Sequence, residues 1–220
     1  MTVTIAQIKE LREATAAGMG ACKEALIATN GDMQEAIKYL REKGLAVAAK
    51  RVDKESKEGI IALAAAADGK TLALAEVNCE TDFVAKTDAF KKFVDDAAKV
   101  ALEGKNIEET LGDDYKMLLT KTGENVKIRR QERYVLEGAG VLSGYIHMGG
   151  KIGVLVELST PCEKCAASAE LAEAAHMICL LKQDYVADGE VTVEKYLDGV
   201  SKTLGAPITV KRFVRLQLGA

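Results

Sequence analysis

The chain has 220 residues, 48% hydrophobic and 29% charged, which is enough to bury a substantial core in one or two compact domains. Thirty basic residues against thirty-three acidic ones leave a net charge of -3, which speaks against a protein whose main work is neutralising phosphates, so no direct nucleic-acid partner is expected. The longest apolar runs, IIALAAAA after Gly59 and IGVLVEL from Ile152, fall far short of the ~20 residues of a membrane helix. The N-terminus shows no export signal, so a cytoplasmic location without membrane association is expected.

The first 44 residues read as three short helices. Thr4 and Gln7 are spaced as a capping box, with Ile5, Ile8 and Leu11 on one face. A second helix carries Met19, Cys22 and Leu26. Asn30-Gly31 makes a turn, and Asp32 and Glu35 open a third helix bearing Met33, Ile37 and Leu40. Gly44 is read as its stop. Three helices of this size resemble a ubiquitin-associated-type bundle, a module that docks on other proteins. Residues 45–58, Ala-rich and then charged, suit an exposed helical linker.

From Gly59 the pattern becomes β-type and repeats. GKTLALAEVN from Gly69 has the shape of GKIGVLVELS from Gly150, with Glu76 over Glu157. GENVKIRR from Gly123 matches GAPITVKR from Gly205, with Arg130 over Arg212. Residues 59–140 and 141–220 are therefore expected to form a duplicated α+β core, two small antiparallel sheets packed with helices. The helices are KKFVDDAAKVAL from Lys91 and AASAELAEAAHMICLL from Ala166.

The chemistry-bearing motifs are mostly missing. There is no GxxxxGK[ST] loop, no GxSxG elbow and no GxGxxG turn. His147 and His176 are the only histidines, which gives a general base little support. The expectation is no enzyme, no catalytic residue and no cofactor. Five cysteines (Cys22, Cys79, Cys162, Cys165 and Cys179) are an odd number, predicting mostly buried thiols rather than a structural disulfide framework. Cys162, Cys165, His176 and Cys179 have zinc-ligand composition. On one continuous helix, however, Cys165 and His176 stand roughly 16 Å apart at about 1.5 Å per residue, so no metal is expected. A reactive Cys162/Cys165 pair at a helix start stays open as an alternative.

The sharpest local feature is NCETDFVAKTDAF, residues 78–90. It suits a strand-to-helix turn in which Thr81 or Asp82 caps the next helix and Phe83 enters the core. A different reading is a rigid wedge, an acidic group beside a large aromatic, inserted into a partner. Spacing does not decide between them.

TDFVAK with NC before it resembles the signature of the elongation factor Ts family, and LREATAAGMGACKEAL resembles its N-terminal segment. GYIHMGGKIGVLVEL resembles its second signature, and the match runs from about residue 4 to the terminal RFVRLQLGA. Departures are Ala16 where Gly is usual, Gly20 where a second Met is usual, Arg51 for a Lys and Thr122 for an apolar residue. Against that pattern, neither the helical hairpin that long members insert after the position of Leu181 nor the terminal helical extension of some members is expected here.

The resemblance implies guanine-nucleotide exchange on the GTPase elongation factor Tu. Thr81, Asp82, Phe83 and Val84 would form the wedge near the partner's magnesium and nucleotide. Arg12, Met19, Lys23 and Arg51 would dock on the GTPase, with Gly123 and His147 as supporting contacts. A one-to-one complex is implied, with a homodimer possible. The competing class is a protein-binding scaffold without exchange activity; a thiol redox protein is a third.

Overall fold

A computed structural model describes residues 3–15, 17–51, 53–181 and 193–220. In chain order the elements begin with α1 (Ile5–Thr15), α2 (Met19–Ala28), α3 (Met33–Lys50), β1 (Glu58–Ala65) and β2 (Thr71–Cys79). Next come α4 (Asp82–Ala85), α5 (Asp88–Leu102), α6 (Ile107–Thr110), α7 (Gly112–Thr122) and β3 (Lys127–Val135). The remainder is β4 (Gly140–His147), β5 (Ile152–Ser159), α8 (Glu163–Ala166), α9 (Ala169–Leu181), α10 (Val193–Leu204) and β6 (Thr209–Gln217). The fold is α+β, as expected, with sheets ordered β1-β2-β3 and β4-β5-β6. The chain forms two compact units, one of residues 1–59, 78–93 and 107–128, the other of 60–77, 94–106 and 129–220. Among the described residues no helix is long and apolar enough to cross a membrane.

In the first unit, the three N-terminal helices close around Ile8, Leu11, Cys22, Leu26 and Leu40, the residues that their periodicity places inward. The capping box is present: Thr4 N–H donates to Gln7 Oε1 at 3.0 Å, and Gln7 N–H donates to Thr4 Oγ1 at 3.3 Å. Asn30 and Gly31 turn the chain with φ of 52° and 84°, and Asp32 accepts the Glu35 N–H at 2.9 Å. These helices fit the ubiquitin-associated-like bundle.

Gly44, however, does not stop the third helix, which continues to Lys50. A Cβ at Gly44 would meet Thr120 Oγ1 at 2.1 Å and the Thr120 backbone N at 2.9 Å. The glycine serves close approach of α7 to α3, and the Thr120 hydroxyl donates to Leu40 O at 2.9 Å across that contact. Of the helical linker expected over 45–58, residues 45–50 form the end of α3, and β1 opens at Glu58.

The duplication is visible in matching parts. β2 and β5 are the central strands of their sheets and are buried along almost their whole length, which explains near-continuous apolar runs instead of alternation. Each carries one fully buried carboxylate, Glu76 and Glu157. Glu76 pairs with Arg130 and accepts the Gly219 N–H at 3.1 Å. Glu157 pairs with Arg212 and lies 3.3 Å from Lys211 Nζ. A buried carboxylate is tolerated only when paired and hydrogen-bonded, and the repeat solves that in the same way twice. In the second sheet all pairs are antiparallel, with Leu142 opposite Glu157 and Glu157 opposite Arg212. Leu171, Ala174 and Ala175 of α9 pack on Val154, Val156 and Leu158 of β5.

Two expectations for the cysteines change. The run from Ala166 is not one continuous helix: α8 ends at Ala166 and α9 starts at Ala169, with Ser168 Oγ accepting the Leu171 N–H at 3.2 Å to cap the new helix. Cys162 and Cys165 are joined in a disulfide rather than left as thiols. Cys162 is the N-cap of α8, and capping brings it to a Cα separation of 5.2 Å from Cys165, inside the range a disulfide needs. Cys22 and Cys79 are buried free thiols. The Cys179 side chain, Ala16 and the segment after Leu181, where no inserted hairpin is expected, lie outside the described residues.

Candidate partner-binding turn

β2 delivers the chain to a tight turn, Glu80–Thr81, from which α4 starts at Asp82. Thr81 is extended at φ -125°, ψ 150°, and its hydroxyl oxygen accepts the Val84 N–H at 3.3 Å, so the capping part of the bland reading holds. The core part does not. Phe83 is 78% exposed, while Phe90, at the start of α5, fills the core with 0% exposure. Asp82 opens the helix, where its charge complements the helix dipole, and it pairs with Lys86 one turn on. The Lys86 ammonium holds the Asp82 carboxyl below the usual carboxylate range. It also lies 6.0 Å from the centroid of the Phe83 ring, within cation–π reach. Val84 is half-buried.

The turn is gripped from behind by the chain after α7. Glu124 accepts the backbone N–H groups of Glu80 and Thr81 at 3.0 and 3.1 Å and the Thr81 hydroxyl at 2.6 Å. Glu80 in turn accepts the Asn125 N–H at 2.7 Å. It also takes a two-pronged contact from Arg51, Nε to Oε1 at 2.8 Å and Nη2 to Oε2 at 2.6 Å. The Arg51 guanidinium draws the Glu80 pKa down to about 2. Asn125 ties the assembly to the chain before β1, its Nδ2 donating to Lys54 O at 3.1 Å and its carbonyl accepting the Ser56 hydroxyl at 2.8 Å. Beneath the turn, burial pushes the Cys79 thiol up to about 12, and its sulfur lies 3.2 Å from Thr81 O.

The structure thus brings Arg51, Thr81 and Gly123 together around two carboxylates. Gly123 is the left-handed cap of α7, φ 65°, with its N–H on Leu119 O at 2.9 Å; this conformation favours glycine and aims Glu124 at the turn. Arg12, Met19 and Lys23 are exposed on α1 and α2, Met19 by 50%. His147 belongs to the second unit. It ends β4, half-buried, with Nδ1 3.1 Å from the Tyr145 hydroxyl, and Tyr145 meets the His176 ring edge-on at 5.9 Å. Glu80, Glu124 and Asn125 are the residues that the sequence alone did not single out. Their contacts join positions more than forty residues apart in the chain, and the only local signal was a Glu following a glycine turn.

The turn lies inside a family match: a model described as "Elongation factor TS" covers residues 80–177. A protein named elongation factor Ts from Trichlorobacter lovleyi is 36% identical over all of this chain and 93% of its own length. The namesake from Symbiobacterium thermophilum is 34% identical over 99% of this chain and 92% of its own length. That from Nitratiruptor is 41% identical over 88% of this chain and 68% of its own length. The first of these alignments spans 293 positions against a chain of 220, so that relative carries residues with no counterpart here. With such identity over the full chain, the protein belongs to the elongation factor Ts family.

Proposed function

We propose that the chain is a guanine-nucleotide exchange factor for the GTPase elongation factor Tu and that Thr81 to Val84 form its exchange wedge. One observation carries the reading: a large aromatic, Phe83, stands 78% exposed on a turn clamped by three hydrogen bonds to Glu124. Leaving an aromatic in water forgoes about 1.5–3 kcal/mol of burial, and a rigid anchor of this kind is what interface hot spots are made from. Phe83 supplies bulk and Asp82 charge beside the partner's magnesium and nucleotide.

Exchange needs no covalent chemistry. The factor binds the nucleotide-free GTPase more tightly than the GDP-bound form, and only that difference shifts the equilibrium. By reciprocity, GDP or GTP expels the factor. The three-helix segment 1–44 docks on the GTPase through Arg12, Met19 and Lys23. Arg51, Gly123 and His147 act from the linker and from the two core halves, 59–140 and 141–220. The complex is one-to-one and cytoplasmic.

Release of a fluorescent GDP analogue from elongation factor Tu, followed with and without micromolar chain, tests the reading. Faster release is expected; an unchanged rate leaves a docking scaffold without exchange activity in its place.

A further inference from the structure

We infer that Glu124 is a positioning residue for the wedge, a carboxylate latch that fixes where Asp82 and Phe83 stand without touching a partner itself. The latch is specific to one copy of the repeat. Gly123 and Gly205 are matched turns with φ of 65° and 68°, but the residue after Gly205 is Ala206, and Pro207 stands where the first copy has Asn125. The second copy still builds its strand, capped short helix and following helix from Ile152 to Leu181. There Pro161 stands at the position of Glu80 and has no N–H to satisfy, the Cys162 N–H donates to Thr160 Oγ1 at 3.3 Å, and a Cys162–Cys165 disulfide closes the turn, so the second copy holds its turn by other means. Glu124 occurs in the copy that presents Asp82 and Phe83, and there it accepts both main-chain N–H groups that precede them and the Thr81 hydroxyl.

Charge-assisted bonds to backbone N–H groups are about twice as strong as neutral ones, and three from one carboxylate restrict the turn to one position. Arg51 belongs to the same device. Its two bonds to Glu80, with Asn125 N–H on the same carboxylate, fix the residue that leads into the turn. Displacing a reacting or wedging group by about 1 Å can cost on the order of a hundredfold in rate, so a turn released from its latch should bind but work poorly.

Resting on the exchange reading above, the test compares Glu124→Ala, Glu124→Asp and Glu124→Gln in the full chain. Stimulated GDP release from elongation factor Tu is measured as a function of factor concentration. Loss of the latch should lower the maximal rate about tenfold for Glu124→Ala, with the half-saturating concentration within about threefold of wild type. Glu124→Asp, one methylene short of both N–H groups, should behave like Glu124→Ala. Glu124→Gln should stay within about threefold of the wild-type maximal rate, since its amide oxygen accepts the N–H donors and its amide nitrogen donates to the Thr81 oxygen. A maximal rate for either the Ala or the Asp variant within about twofold of wild type overturns the latch. So does a loss seen only in the half-saturating concentration.

Amide hydrogen exchange at Glu80 and Thr81 supplies a readout independent of the GTPase. Exchange should quicken at least about tenfold in the Ala and Asp variants and stay slow in the Gln variant; unchanged protection in all three overturns the latch. If Asp82→Ala with Phe83→Ala leaves GDP release intact, the exchange wedge itself falls, and amide exchange alone then decides whether Glu124 orders the turn.

Discussion

Arg51 grips Glu80 with two parallel hydrogen bonds, at 2.8 and 2.6 Å, and the consequence is a carboxyl whose pKa lies at about 2. In the unfolded chain a glutamate titrates near about 4.3. The folded value is the lower one, so the pair stabilises the fold above the unfolded pKa, and that contribution is lost as pH falls from about 4.3 through about 2. The urea midpoint of wild type minus that of Glu80→Gln should therefore be constant from neutral pH down to about 5 and shrink below it. A difference that does not change with acid contradicts the pairing.

Phe83 and Phe90 give opposite expectations for the same substitution. Phe90 is fully buried, so Phe90→Ala should destabilise by about 3–5 kcal/mol. Phe83 is largely exposed, so Phe83→Ala should leave stability within about 0.5 kcal/mol. Denaturant melts of the two variants check this, and a large loss for Phe83→Ala would return that ring to the core.

Glycines inside helices separate in the same way. At Gly44 a Cβ would run into the backbone of Thr120 at 2.9 and 3.0 Å, and Gly44→Ala should cost about 1–3 kcal/mol despite alanine's better helix propensity. Gly199 sits inside α10 with nothing within 4 Å of an added Cβ, so Gly199→Ala should stabilise by about 0.5–1 kcal/mol. Thermal melts that rank the two variants the other way contradict the α3–α7 contact.

Cys79 is buried beneath the turn with its thiol pushed up to about 12. The thiolate is the reactive species, so Cys79 should resist alkylation at pH 8 in the folded chain and react on unfolding. Mass-spectrometric mapping of the labelled peptides decides it; rapid native labelling would show a turn that opens freely.

What the sequence disclosed was local or repeated. Thr4 with Gln7 and Asn30 with Gly31 announce themselves by spacing, because their hydrogen bonds and backbone demands lie within a few residues. Glu76 and Glu157 were found as matched positions because both copies of the core bury a carboxylate on the central strand. Gly44 misled, since a glycine that ends a helix and one that admits a neighbour look alike until Thr120, far along the chain, is in place. The fate of Phe83 was undecidable for a similar reason: Thr81 caps its helix whether the ring points in or out. Glu124 and Glu80 were invisible as a pair, because tertiary hydrogen bonds leave no periodicity to read.

The most direct measurement is GDP-analogue release from elongation factor Tu with wild type beside a folded Asp82→Ala, Phe83→Ala double variant. Wild type should accelerate release, and the double variant, still folded by circular dichroism, should lose at least about tenfold of that acceleration. Acceleration equal to wild type from the double variant would contradict the wedge.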